Sequence, residues 1–363
     1  MNCTLIKKSC VGLLAIILST SCADLTENLT GQPTVDKFFQ TLTDFNSYIT
    51  GAYTPLILLY GTDMPYAASA GAEDVNTPVI RWKGFEQVNI NTVGNPDEVT
   101  DELWNSYYTS ISGENTKLSP DELSPIGGEA HFLRAFNYFQ LVRWFGEVPL
   151  LTEDNQDNAA KEPQASVARI YEQIVSDLKN AELTLPLSQD DPSRPSRWAA
   201  KALLAKVYLT MAGFPLNETS CYALARDKAN EVISEKVYTL EKVYSQLWLW
   251  SNRKINSEFI FALYASSDNA TGSYIHQAVR PTDHGENGWA DWTSDKRFLE
   301  TFPVGDGSRL SGTFYTRMRD GASWEDTNVA QPYVGKYRDA GPKSGGYSGI
   351  ATCRLYTSDA ADE

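Results

Sequence analysis

The stretch Gly128-Glu-Ala-His-Phe-Leu-Arg-Ala-Phe-Asn-Tyr-Phe-Gln-Leu-Val-Arg-Trp-Phe-Gly-Glu-Val-Pro-Leu150 decides the fold. Its apolar residues Phe132, Leu133, Phe136, Phe139, Leu141, Val142, Trp144 and Phe145 recur every three or four positions and spread over most of a helix circumference. A helix of that kind has to be covered on several sides. Arg134, Asn137 and Arg143 fall on the remaining stripe, Gly146 is placed for a left-handed stop, and Pro149 prevents the helix from resuming. The reading is a central, packed helix with a sharp end.

Working outward, helical spacing continues on both sides. Phe38, Leu42, Phe45, Ile49, Ala52 and Leu56 predict a first amphipathic helix over 35–56, with Thr34 and Asp36 near its start. Trp104, Tyr108 and Ile111 predict a second over 99–115. Beyond the central helix, Ser166 is placed to cap a helix carrying Val167, Ile170, Ile174, Leu178 and Ala181. Ser196 caps another, with Trp198, Ala202, Ala205 and Leu209 as its buried stripe and Gly213 as its stop. A further helix uses Tyr222, Ala225, Ala229, Val232 and Ile233. Helix pairs with small residues where they cross resemble tetratricopeptide units. Residues 257–264 read as a buried strand or edge segment. Two long segments lack any period, 58–95 and 266–293, and their aromatic content argues against disorder.

The first residues read as an export signal: Lys7 and Lys8, then the apolar run Val11 to Leu18, then Ser19-Thr-Ser-Cys22. A small-residue site ending in cysteine is what a lipoprotein peptidase recognises, so Cys22 is the expected acylated residue. The apolar run is too short to span a bilayer. Removal of residues 1–21 takes two lysines and moves the formal charge from −15 to −17. Such an acidic chain repels phosphate backbones, which excludes nucleic acid as a partner. Only Cys221 and Cys353 then remain beside Cys22, too few for a disulfide framework or a thiolate metal site.

The helix followed by Phe145-Gly-Glu-Val-Pro149 resembles the arginine-alanine-aromatic helix and turn of SusD/RagB proteins, outer-membrane nutrient-binding lipoproteins of Bacteroidota. Phe38-Phe39, Gly51-Ala-Tyr53, the Trp104 to Asn115 spacing, Ser257-Glu-Phe-Ile-Phe261 and Tyr333-Val-Gly-Lys-Tyr337 are similar to further family positions. The resemblance covers about residues 22–340. It implies an all-α, tetratricopeptide-like helical solenoid with long loop insertions and a few short strands. Residues 1–21 are then the signal, 22–240 the N-terminal helical region, and 241–350 the start of a C-terminal region whose later helix pair is missing. Residues 351–363 resemble translated sequencing adapter and are read as a non-native tail.

Catalysis needs a nucleophile, base or metal at defined spacing. Three histidines, at 131, 276 and 284, form no metal-ligand pair, and neither a nucleophile elbow nor a phosphate-binding glycine loop occurs. His131 on the central helix reads as a hydrogen-bonded packing residue. The polar run Glu153 to Asn158 lacks the glycine and distal glutamate of a calcium loop and reads as solvated, and no cofactor is implied. A glycoside hydrolase would need two carboxylates facing across a cleft, and no motif singles out a pair.

Binding remains. Aromatic content is 12%, and several aromatics lie where no core stripe claims them. A flat ring faces the C–H side of a pyranose while Asp, Asn, Arg and His bond its hydroxyls. Tyr274, His276, Arg280, Trp289, Asp291 and Trp292 offer that combination, with Tyr66 and Trp82 as opposing partners. Each is weighed against a plain packing role, because indole burial is itself favourable. Trp104, Trp144 and Trp198 are assigned to the core. By resemblance, the function is capture of a glycan or oligosaccharide at the cell surface for a SusC-like TonB-dependent transporter. The alternatives are peptide capture, as in RagB-type members, a protein-binding scaffold, and, last, a hydrolase.

Overall fold

A computed structural model describes residues 41–61, 65, 68–72, 74–79, 96–112, 124–191, 193–252, 257–263, 275–303, 305, 307–336 and 353–356. The chain divides into two compact units, Met1–Asp44 and Phe45–Glu363. Of the first, only the last four residues are described. There Thr41 and Asp44 cap each other: Thr41 N and Oγ1 donate to Asp44 Oδ2 at 2.7 and 2.8 Å, and Asp44 N donates to Thr41 Oγ1 at 3.3 Å. Helix α1, Leu42–Gly61, therefore opens at Leu42. The expected earlier start falls on residues 35–40, outside the described ones.

The helical core is α1 with α2 (Pro96–Ser112), α3 (Ser124–Phe145), α4 (Val167–Thr184), α5 (Arg197–Ala212) and α6 (Cys221–Ser234). Helix α2 packs on α3, α3 on α4, α4 on α5 and α5 on α6, which is the tetratricopeptide-like arrangement expected. Phe132, Leu133, Ala135, Phe136, Tyr138, Phe139 and Leu141 of α3 are fully buried. The polar side of α3 is buried as well: Glu129, Arg134, Asn137 and Gln140 are all under 5% exposed. Arg143, in the last turn, is exposed. Gly146 ends the helix at φ +72°, its N–H bonding Val142 O at 3.0 Å, a left-handed stop that only glycine takes without cost. Strand β2 (Val148–Pro149) then pairs with β3 (Gln164–Ala165).

The buried charges on α3 are partnered. Arg134 Nε and Nη2 donate to the Asp177 carboxylate of α4 at 2.8 and 2.7 Å, and its Nη1 donates to Glu153 Oε2 at 2.5 Å. His131 Nδ1 lies 3.1 Å from Asp177 Oδ1, a packing histidine as expected. Burial would raise the Asp177 and Glu153 carboxyls, but the Arg134 guanidinium outweighs it and holds both below their ordinary values. So Glu153 is tied to the core, and the run around it is a 3-10 helix, Gln156–Lys161. Glu129 goes the other way: burial raises it in spite of Tyr53 and Arg194.

The caps fall as read. Ser166 Oγ accepts from Arg169 N and Ser196 Oγ from Ala199 N, both at 3.3 Å. Three buried stripes differ from expectation. In α2 the fully buried seam is Val99, Leu103, Tyr107 and Ile111, with Trp104 and Tyr108 half-buried beside it. In α5 it is Ala199, Ala200, Leu203, Leu204 and Val207, leaving Leu209 40% exposed. Alanines on every side of α5 make its stripe ambiguous, and the larger Leu203, Leu204 and Val207 settle it. In α6, Tyr222 and Ile233 are exposed while Cys221, Ala225 and Val232 face inward.

The strands are short. Strand β4 (Phe261–Leu263) is fully buried and pairs antiparallel with β8 (Cys353–Tyr356), within the stretch read as a tail. Four two-residue strands form an antiparallel sheet in the order β1 (Val75–Asn76), β5 (Thr293–Ser294), β7 (Tyr333–Val334), β6 (Phe314–Tyr315). This sheet carries the candidate site. Among the described residues no helix is long and apolar enough to cross a membrane.

Candidate functional site: a loop fastened on both sides

The site grows out of residues 275–295. One helical turn, Ile275–Ala278, leads into Arg280, and the chain then loops out and returns to β5. The loop is written in residues that tolerate left-handed backbone, Asp283-His-Gly-Glu-Asn-Gly288. His284, Gly285, Asn287 and Ala290 all adopt it, with φ of 52°, 71°, 53° and 54°. For the three that are not glycine this costs about 1 kcal/mol or more each. The conformation persists because the surroundings hold it.

On one side the hold is main chain to main chain. Gly288 N donates to Pro281 O at 2.7 Å, Trp289 N to Gln277 O at 2.8 Å, Ala290 N to Arg280 O at 2.9 Å and Trp292 N to Ala278 O at 3.0 Å. The approach at Gly288 leaves no room for a side chain: a Cβ there would lie 2.1 Å from Arg280 O. On the other side the hold is by side chains. Glu286 is 1% exposed, and its Oε1 accepts from Tyr315 OH and from Arg319 N, the latter at 2.9 Å. Asp283 Oδ2 accepts from Asn328 N at 2.7 Å. His284 Nδ1 is 2.8 Å from Asp320 Oδ2 and its Nε2 is 3.3 Å from Asp326 O. Ala290 completes a small apolar cluster with Tyr315, Met318 and Tyr333.

The expected site residues separate by exposure. Trp289 is 46% exposed and Asp291 is half-buried. His276 and Arg280 are 3% and 8% exposed, and Arg280 Nε donates to His276 O at 2.9 Å, so this pair braces the turn beneath the loop. Trp292 is 5% exposed and packs in the main hydrophobic core. Its ring meets protein in this conformation. Cys22, Tyr66, Trp82 and Tyr274 lie outside the described residues. Of the tryptophans assigned to the core, Trp198 is 8% exposed and Trp104 stacks edge-on to Phe145 at 5.2 Å. Glu286, His284 and Asp320 were not singled out from sequence as holding the site. The run of left-handed-tolerant residues was the available signal for such a loop. Among the described residues no group of three or more His, Cys, Asp or Glu side chains is arranged to hold a metal ion.

A family model described as SusD-like, starch-binding associating with outer membrane, matches residues 30–209. A SusD-like protein P2 of Formosa agariphila is 30% identical over 57% of this chain and 44% of its own length. The chain thus spans less than half of that relative. The structure of a SusD superfamily protein from Parabacteroides distasonis superposes with a TM-score of 0.73 at 25% identity, covering 87% of this chain and 73% of that one. A structure solved with a xylogluco-oligosaccharide superposes with a TM-score of 0.70 at 21% identity, covering 85% and 67%. The family model over residues 30–209 and the fold over 87% of the chain point the same way, and the chain belongs to the SusD-like family.

Proposed function

We propose that this protein captures a glycan or oligosaccharide at the outer membrane and hands it to a SusC-like TonB-dependent transporter, held there by lipid on Cys22. The observation that carries the reading is Trp289. A large ring stands nearly half exposed on a loop whose backbone is bonded on both sides, so its position is set before any ligand arrives. A preset apolar face loses little freedom on binding a pyranose. Asp291, two residues along, supplies an acceptor for hydroxyls at the edge of that face. Trp292, His276 and Arg280 support the loop from below. Tyr66, Trp82 and Tyr274 are proposed to complete the platform. The family's description as starch-binding and the oligosaccharide held by a fold relative support this ligand class.

Calorimetry with a panel of purified glycans tests it, with Trp289→Ala alongside. Truncating an anchoring aromatic commonly costs ~2 kcal/mol, so affinity should fall by at least about tenfold. Because the other half of the ring is covered by protein, circular dichroism should first show the variant folded as wild type. A folded protein that binds no glycan but binds peptides would overturn the reading. Glycan binding untouched in Trp289→Ala would overturn the choice of platform. Release of shorter sugars would turn the case toward a hydrolase.

A further inference from the structure

The His284 ring is placed where a neutral imidazole cannot satisfy its neighbours. Asp320 Oδ2 and Asp326 O are both acceptors, at 2.8 and 3.3 Å from the two ring nitrogens. A neutral ring has one N–H and can serve only one of them, whereas the imidazolium serves both. Asp320 sits at the tip of a hairpin closed by the Arg317–Ser323 bridge and by Met318 N donating to Ala322 O at 2.9 Å, and Asp326 ends the 3-10 turn that follows it, Trp324–Asp326. Through His284 the loop that presents Trp289 is thus fastened to the hairpin tip and to the turn behind it.

We propose that His284 is the positioning residue of the Trp289 platform, a clasp that sets the loop on the 317–323 hairpin and makes ligand capture fall off as pH rises. This rests on the glycan-capture reading for its ligand, and on geometry for the clasp itself. The groups that face His284 favour the charged ring from each element around it. Asp320 comes from the hairpin tip, the Asp326 carbonyl from the turn behind it, and Asp283 from the loop itself. The Asp326 carboxylate is held by Ser323 N at 3.0 Å, and Arg319, the nearby cation, is engaged by Glu286. Bonds to Asp320 and Asp326 hold the imidazole above its ordinary value of 6.5. A raised folded value means that the clasp is complete below 6.5 and is lost as pH climbs through the folded value. The main-chain bonds at Gln277, Ala278, Arg280 and Pro281 do not titrate. Losing the clasp therefore loosens the loop without unfolding it.

Amide hydrogen exchange of residues 283–292 on the full chain, corrected for its intrinsic pH dependence, is the test. His284→Asn and Asp320→Asn are measured beside wild type, because asparagine tolerates the left-handed backbone at 284 and keeps an acceptor at 320. In wild type, protection should fall about two- to fivefold as pH rises through the His284 titration. That titration can be followed by NMR among only three histidines. Asp320→Asn should move the midpoint down, and His284→Asn should show the lower protection at every pH. Glycan affinity should follow the same curve. Protection independent of pH in wild type, or a midpoint unmoved in Asp320→Asn, overturns the inference. The exchange measurement needs no ligand, so a titrating clasp on a protein that binds no glycan overturns the capture reading alone. Glycan binding with a flat pH profile overturns the clasp as a positioning device alone.

Discussion

Helix α3 and the Trp289 loop are both held rigidly, by opposite means. The helix is fixed by what surrounds it: a shell of apolar side chains in which each buried charge meets a partner, Arg134 against Asp177 and Glu153. The loop is fixed by its own backbone, bonded to Gln277, Ala278, Arg280 and Pro281, and by three side-chain tethers to the 315–328 segment. Burial of the first kind leaves nothing for a ligand. A loop of the second kind can afford a side chain that turns outward, and Trp289 does.

The comparison predicts a large, global effect from the helix. Arg134→Met leaves the Asp177 carboxylate, 1% exposed, without its main counter-charge. Breaking a buried pair from one side costs roughly 3–5 kcal/mol, and urea unfolding should show it as a lowered midpoint for the whole helical core. If the midpoint hardly moves, water reaches Asp177 and the core is looser than its burial indicates. Replacing Arg134 and Asp177 together by apolar residues of similar volume should recover much of the loss, since the desolvation of both charges is then avoided.

From the loop a smaller and local effect is expected. Gly288→Ala drives a Cβ against the Arg280 carbonyl. Overpacking costs typically 1–3 kcal/mol, and here the backbone can relieve it by giving up the bonds to Pro281 and Arg280. Far-UV circular dichroism should stay as in wild type, while exchange protection across 283–292 and glycan binding fall together. A variant that loses helical signal as well would show that the loop and the helical core fold as one unit.

The two regions also differ in how far the sequence discloses them. Helix α3 was legible because its apolar residues keep one period and its end is marked by Gly146 and Pro149. Ser166 and Ser196 were legible as caps for the same reason, that the signal is local. Stripes on α5 and α6 were misplaced by a position or two, because alanines at 199, 200, 202 and 205 on α5, and at 223, 225 and 229 on α6, do not discriminate between faces. In the loop, composition pointed to Trp289 and Trp292 alike. Nothing local separates them: Trp292 is buried because its neighbours in the core come from elsewhere in the chain, and Trp289 is not. Glu286 illustrates the same limit, since its partners Tyr315 and Arg319 lie about thirty residues on.

The smallest expected effect concerns pH, and it sets the two regions at opposite ends of the scale. In the helical core, Asp177 and Glu153 are held below their ordinary values of 3.8 and 4.5. The unfolded chain therefore binds protons that the folded one refuses, and the stability these groups contribute is present above about 4.5 and lost as pH falls. Glu129 opposes the trend, because burial raises its carboxyl and favours the folded state as pH drops. Glu129→Gln removes that opposition, so acid unfolding should begin at a higher pH relative to the variant's own stability at pH 7. Toward alkaline pH the Tyr108, Tyr171 and Tyr208 hydroxyls and the Cys221 thiol of the core are raised by burial above their ordinary 10.0 and 9.0, so they keep their protons while the loop loses its His284 clasp. Chemical unfolding midpoints should accordingly fall by no more than the loss of that one clasp explains, over the range in which loop protection falls. If the midpoint fell toward alkaline pH by more than the drop in loop protection accounts for, the side-chain tethers would be holding the core as well as the loop, and the division between the two regions would fail.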